Sequence, residues 1–257
     1  MLALEILGAL LVGVTLGLLG AGGAMVTVPI LAYVVGRPAK LAVAESLLIV
    51  GSIALVSALQ YARRGLVDWR TAILLAVPGM IGGVLGASIA SFLSGRTQML
   101  LFAAVTVAAA IRMLTAKPVP EGVVYTPRPA WQPLSAGLGI GVLTGLVGVG
   151  GGFLLVPTLF GLLGVPMRRA VATSLVVIAT NSLMSFGKHA WALRDADPGI
   201  DFQVAAIFVL FGVAGGFAGT WVSPRIPQAT LRTVFAVALV LAAVTIVVAE
   251  VFPRGTT

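Results

Sequence analysis

The chain has 257 residues, 59% hydrophobic and 9% charged, with a mean hydropathy of +1.12. Soluble domains carry about 25% charged residues, so a water-facing globule is excluded, and apolar runs of about 20 residues exclude a β-barrel of alternating strands. The net charge of +8 lies mainly between those runs with no aromatic-interleaved patch, which points to membrane topology rather than nucleic acid.

In chain order the apolar segments fall at about 3–19, 24–35, 41–62, 69–93 and 97–115, then 132–148, 152–164, 169–192, 202–222 and 228–252. Met1–Glu5 lacks the basic region of a signal peptide, so the first segment is read as mature structure. The second group repeats the first. Between 13–61 and 141–189, at an offset of 128, 19 of 49 positions are identical, and they include Gly20/Gly148, Gly22/Gly150, Gly23/Gly151, Pro29/Pro157 and Ser46/Ser174. Beyond residue 61 the offset becomes 133, which aligns Asp68 with Asp201 and Gly79, Gly82, Gly83 and Gly86 with Gly212, Gly215, Gly216 and Gly219. The five extra residues fall in the loop 192–199. Apolar composition inflates chance matches but does not keep glycines, prolines and a serine in register. The predicted division is a first transmembrane repeat at 1–116, a polar proline-rich linker at 117–130 and a second repeat at 131–257.

The segment after each glycine cluster has about 12 residues, about 18 Å of helix, too short for a core of about 30 Å. Segments one and two of each repeat are therefore expected to form a glycine-broken or re-entrant pair. Five segments per repeat is odd, so the second repeat is expected to be inverted. The basic residues then divide ten to six, which places Arg63, Arg112, Arg128 and Arg232 on the cytoplasmic face. The fold class is all-α and polytopic. Trp69, Trp131, Trp191 and Trp221 lie near segment ends, as interfacial anchors do. The glycines of 82–86 and 215–219 read as close helix packing.

Glycine clusters interrupt a helix and leave backbone groups unpaired, which hydrocarbon does not tolerate unless protein or a wet cavity receives them. Pro29 and Pro157 are expected to reinforce the break. The helix that restarts points its positive end into the gap, where an anion gains hydrogen bonds and a favourable dipole. The candidate substrate-binding residues are therefore Gly20, Gly22, Gly23, Ser46, Gly148, Gly150, Gly151, Gly152, Thr173, Ser174 and the mid-span Asn181. Tight packing of the glycines and back-bonding of the serines are the competing readings. Glu45 stands where the other repeat has Thr173. A carboxylate within a span is costly and usually functional, by carrying a proton or by pairing with a cation such as Arg37 or Lys40. Lys188 and His189, aligned with Gln60 and Tyr61, are suited to attracting an anion and to titrating near neutral pH, or to anchoring at the interface. A dinucleotide fingerprint is rejected, because no strand–helix unit surrounds the glycines. Cysteine is absent and His189 is the one histidine, so no disulfide and no thiolate or histidine-cluster metal site is expected.

The duplicated Gly-x-Gly-Gly-x-x-x-x-x-Pro, with Ala44-Glu45-Ser46-Leu47 and Ala172-Thr173-Ser174-Leu175 after it, resembles the TauE/SafE family of sulfite exporters over essentially the whole chain. The first copy departs from the pattern at Ala24 and Glu45. The resemblance implies a multi-pass transporter of the cytoplasmic membrane for small anions such as sulfite or organosulfonates. The expected function is secondary transport, with proton coupling as an option. A passive anion channel is the alternative. An intramembrane enzyme built on Ser185 and His189 is the weaker one, and the chain is not expected to be an enzyme. No cofactor and no metal are expected. The expected partners are the anion, the bilayer and, as one assembly option, a second copy.

Overall fold

The computed structural model describes residues 2–90, 92–116, 128–147, 152–192 and 199–251. Every regular element among them is helical. The helices are α1 (Leu2–Leu19), α2 (Gly22–Pro29), α3 (Ala39–Arg63), α4 (Trp69–Ala90), α5 (Gly95–Thr115), α6 (Trp131–Val147), α7 (Gly152–Pro157), α8 (Met167–Ala192), α9 (Phe202–Val222) and α10 (Gln228–Val251). Each of α2 and α7 runs on into one wide turn of π-helix, Ile30–Val34 and Thr158–Leu162. Four helices are long and apolar enough to cross a bilayer: Lys40–Arg63, Trp69–Ala90, Met167–Trp191 and Phe202–Arg225. The shorter apolar helices include Ala3–Leu19 and Gly152–Leu162. All ten expected segments are helices, with ends within a few residues of those expected. Most of the linker, 117–127, and the glycines Gly148, Gly150 and Gly151 lie outside the described residues.

The expectation about the prolines is corrected. Pro29 and Pro157 do not deepen a break; each keeps helical angles, with φ −56° in both. A proline ring clashes with the carbonyl four residues back and offers no N–H. The helix nevertheless runs on through each proline and widens just after it, where Val35 and Leu163 donate five residues back to Ile30 and Thr158. Gly36 and Gly164 then end the two turns at φ +78° and +68°, where a side chain would be strained.

The chain divides into two compact units that each draw on both halves of the sequence. The first comprises 1–72 and 168–227. There α1 packs on α9 in parallel, backbone against backbone. A Cβ at Gly13 would stand 2.0 Å from the Gly212 carbonyl oxygen, and one at Gly17 2.5 Å from that of Gly216. On α9, Cβ atoms at Gly215 and Gly219 would meet the carbonyls of Leu10 and Val14 at 2.5 and 2.6 Å. Small residues allow this approach, and it is a common way to pack helices in lipid. Leu16, Leu31, Ile49, Ile53 and Phe208 fill the interior.

The second unit comprises 73–167 and 228–257. Here α4 packs on α6 in the same manner. Cβ atoms at Gly141 and Gly145 would meet the carbonyls of Gly79 and Gly83 at 2.1 and 2.2 Å, and those at Gly82 and Gly86 the carbonyls of Leu138 and Val142 at 2.3 and 2.1 Å. In addition, α10 lies along α5, and Met113, Phe153, Leu159 and Phe235 are buried. Large apolar side chains of both units face outward, among them Leu55, Leu59, Leu210 and Val84. An apolar exterior of this extent suits lipid rather than water.

Candidate functional site

The helix break that the glycines predict is present in the first unit. After Leu19 the chain turns at Gly20, φ +79°, whose N–H still donates to the Leu16 carbonyl at 2.8 Å. Ala21 then starts α2 with no side chain capping its first turn. The helix α2 returns along α1: a Cβ at Gly23 would meet the Val12 carbonyl at 2.6 Å, and one at Gly8 the Ile30 side chain at 3.1 Å. Gly20 is required twice over. Its φ disfavours any side chain, and a Cβ would stand 2.7 Å from Ser174 Oγ and 3.0 Å from Val171 Cα. The tip is buried, with Leu19 and Ala21 both closed off from solvent. The Gly20 turn, not α2 itself, rests on α8 beside the Ser174 hydroxyl; the first-turn N–H groups of α2, which begins two residues later, have no partner within their own helix. That hydroxyl donates to the Val171 carbonyl at 2.8 Å, with the Gly20 carbonyl 3.5 Å away.

Glu45 is fully buried at the start of α3. Arg37 grips it through Nη2 at 2.6 Å and Nε at 3.1 and 3.2 Å. Asp201 donates its backbone N–H to the same carboxylate at 2.9 Å, and Arg37 also donates to the Gly199 carbonyl. The Glu45 hydrogen bond, and then the charges of Glu45 and Asp201, raise the Arg37 guanidinium above its ordinary value against a lowering by burial. Asp201 is also the cap of α9, accepting from Gln203 and Val204 at 3.0 and 3.1 Å. Thr173, equally buried on α8, has a matching arrangement. Its hydroxyl accepts the backbone N–H of Asp68 at 3.1 Å, and Asp68 caps α4 through Thr71.

The remaining candidates are scattered. The Ser46 hydroxyl donates to Val43 in its own helix, at 2.7 Å. Asn181 keeps a buried side-chain oxygen without a partner. His189 Nδ1 donates to the Ser185 main-chain carbonyl at 2.9 Å, so no histidine–serine hydroxyl pair forms, and Lys188 is exposed. Gly152, the first residue of α7, is buried. Glu45, on α3, lies beside the start of α9. Ser174 belongs to the other end, where Arg168 of α8 donates to the Pro224 and Ile226 carbonyls. The 21 residues of α9 separate those ends by about 32 Å.

Three contacts were not anticipated: the Tyr61 hydroxyl on the Gly17 carbonyl at 2.9 Å, the Thr220–Gln60 bond at 2.6 Å and the capping role of both aspartates. Only the last had a sequence signal, an aspartate at the head of an apolar run.

The family model described as Sulfite exporter TauE/SafE matches residues 5–246. A "Probable membrane transporter protein" of Xylella fastidiosa (strain 9a5c) is 30% identical over 243 residues, 92% of this chain and 91% of that protein. YunE of Bacillus subtilis (strain 168), also named a probable membrane transporter protein, is 26% identical over 262 residues, 93% and 94% of the two chains. MJ0441 of Methanocaldococcus jannaschii carries the same description and is 28% identical over 190 residues, 71% and 70% of the two. With a match that takes in the glycine bend, both capping aspartates and all four spanning helices, this multi-pass membrane transporter belongs to the sulfite exporter TauE/SafE family.

Proposed function

We propose that this transporter is a secondary exporter that carries a small sulfur-bearing anion, of the sulfite or organosulfonate class, across the cytoplasmic membrane. The observation that carries the reading is the bend at Gly20–Ala21. It sets Gly20, two residues before the uncapped start of α2, against Ser174, in a chain whose family is described by sulfite export. An oxyanion there would accept from the first-turn N–H groups and from the Ser174 hydroxyl once it rotates away from Val171. Of the two roles open to Glu45, the contact with Arg37 favours charge pairing over proton carriage. Proteoliposomes loaded with labelled sulfite, organosulfonate, sulfate or phosphate, with and without a pH gradient, test the proposal. Saturable efflux of the sulfur oxyanions that Ser174→Ala weakens by about tenfold supports it, since one hydrogen bond to a charged group is worth about 1.5–3 kcal/mol. Flux that never passes equilibrium under any gradient would make the protein a channel instead.

We further infer that the two sequence halves are copies of one helical unit inserted in opposite senses. Support comes from contacts that match under the two offsets. Gly13 meets Gly212 as Gly141 meets Gly79, and Gly17 meets Gly216 as Gly145 meets Gly83. Each first helix thus packs on the fourth helix of the other half. Support for inversion comes from the first unit. There α3 runs with α9, from Glu45 beside Asp201 to Gln60 on Thr220, whereas α8 starts where α9 ends.

A further inference from the structure

The second unit carries a basic groove that the transport reading does not use. Arg128, Trp131, Gln132, Ser135, Leu162 and Leu163 line an open depression of about 380 Å³, within the range of about 300–1,000 Å³ usual for small-molecule sites. Arg128 is fixed at its edge: Nε donates to the Leu163 carbonyl at 3.3 Å, which takes one of the five donors of its guanidinium. Trp131 begins α6 and is 65% exposed, as an indole at headgroup level should be. Two further arginines gather at this end. Arg112 packs its stem 3.2 Å from where a Cβ of Gly161 would be, and Arg232 donates to the Ala116 carbonyl at 3.0 Å while its Nε is buried without a partner.

Helix-end carbonyls explain why arginines are placed here, but they neutralise no full charge. The one carboxylate among the described residues of this unit is Glu250. It lies 18 residues along α10 from Arg232, about 27 Å at 1.5 Å per residue. Arg37, by contrast, is matched by two carboxylates, those of Glu45 and Asp201. Three cations with no carboxylate beside them among the described residues, an interfacial indole and an apolar floor of Leu162 and Leu163 suit one kind of occupant. It carries a phosphate anion on top and hydrocarbon below.

We propose that this groove receives the headgroup of an anionic phospholipid. The phosphate takes the spare guanidinium donors of Arg128, with Arg112 and Arg232 supplying long-range attraction. Gln132 and Ser135 face the polar part of the headgroup, and Leu162 and Leu163 its glycerol and first methylenes. Basic pockets of this kind, at the face that the positive-inside count makes cytoplasmic, are where lipids of negative headgroup bind.

The test is to exchange lipids on the purified full-length protein with phosphatidylglycerol and phosphatidylcholine in equal amounts. Retained lipid is then counted by native mass spectrometry. Wild type should keep phosphatidylglycerol in clear preference. Arg128→Gln should lower that retention by about fivefold, the size expected for one basic residue near a membrane surface, and Arg128→Lys should restore part of it. Arg225→Gln is the control, because that guanidinium is already engaged by the Trp221 ring 3.8 Å away and by the Trp221 carbonyl. Equal retention of both lipids by wild type overturns the proposal without any variant. So does an Arg128→Gln protein that folds and retains as much phosphatidylglycerol as wild type. Displacement of the lipid by excess inorganic phosphate would assign the groove to a free oxyanion and overturn the lipid reading.

Discussion

The corner around Glu45 and the corner around Thr173 solve one packing problem with different chemistry. In both, an acceptor near the start of a long helix takes the backbone N–H of the aspartate that caps a helix of the other half of the sequence: Asp201 to Glu45 at 2.9 Å, Asp68 to Thr173 at 3.1 Å. Both acceptors are sealed from solvent. A threonine hydroxyl does this without charge. A carboxylate there would be prohibitively desolvated alone, and Arg37 supplies the compensating charge. The residue aligned with Arg37 is Val165, buried and apolar. One corner thus holds a carboxylate with its counter-charge and the other a neutral hydroxyl, while the backbone contact each makes is of the same kind. That speaks for Glu45 as part of a fastening between α3 and α9.

The largest expected effect comes from leaving that pair half made. Arg37→Ala strands a buried carboxylate. Loss of one partner of such a pair costs about 3–5 kcal/mol, so the variant should show a large fall in the thermal midpoint of detergent-solubilised protein. A loss below about 1 kcal/mol would mean that the Glu45 carboxylate does not depend on Arg37 for its burial. The sign of the pH effect follows from Arg37. Its folded pKa is raised, so its contribution is complete below its unfolded value and fades only as pH rises through the folded one. That window lies beyond any workable pH, and the Arg37 term should be flat across ordinary titrations.

The glycine seams offer a second comparison. Gly13→Ala and Gly141→Ala both place a methyl about 2 Å from a backbone carbonyl, at 2.0 and 2.1 Å. Each should force two helices apart, at about 1–3 kcal/mol typical of overpacking. Equal losses in thermal stability are expected for the pair. A loss in only one would show that the two seams are alike in geometry but not in load.

Much of this could be read from the residues. Segment ends, the bend at Gly20 and the packing role of Gly82–Gly86 follow from glycine spacing in apolar sequence, because each is a local consequence of a missing Cβ. Other features were not legible. Pro29 reads as a breaker, yet the helix passes through it at φ −56° and widens only afterwards, and only the backbone reveals which occurs. Glu45 was legible as costly and not as settled, since its partner list includes a backbone N–H from a residue 156 positions away. Ser46 and Ser174 look alike in sequence. Ser174 meets the Gly20 bend, whereas the Ser46 hydroxyl donates within its own helix, and their similar sequence surroundings do not tell the two apart.

Smaller effects separate the corners more finely. Thr173→Val keeps shape and removes the acceptor for the Asp68 N–H, which should cost about 1–3 kcal/mol as an unsatisfied buried donor. Amide exchange at Asp68 should quicken, with little change at Asp201. If both sites respond together, the two corners are coupled and the comparison between them fails as a local argument.

The smallest effect is the most telling. Arg37→Val with Glu45→Thr rewrites the charged corner as its counterpart. Removing both members of a buried pair leaves no stranded charge, and apolar or neutral replacements of such pairs are often close to neutral. The threonine hydroxyl is also of the kind that already accepts the equivalent N–H from Asp68. The double variant should therefore lie within about 1 kcal/mol of wild type, while Arg37→Val alone loses several. The coupling energy of that cycle measures how far Glu45 depends on its counter-charge. Transport decides the rest. If the double variant is as stable as wild type and moves anions with unchanged pH dependence, Glu45 fastens α3 to α9 and carries no proton. If it is stable yet loses its response to a pH gradient, the carboxylate has a role in coupling that the threonine cannot supply.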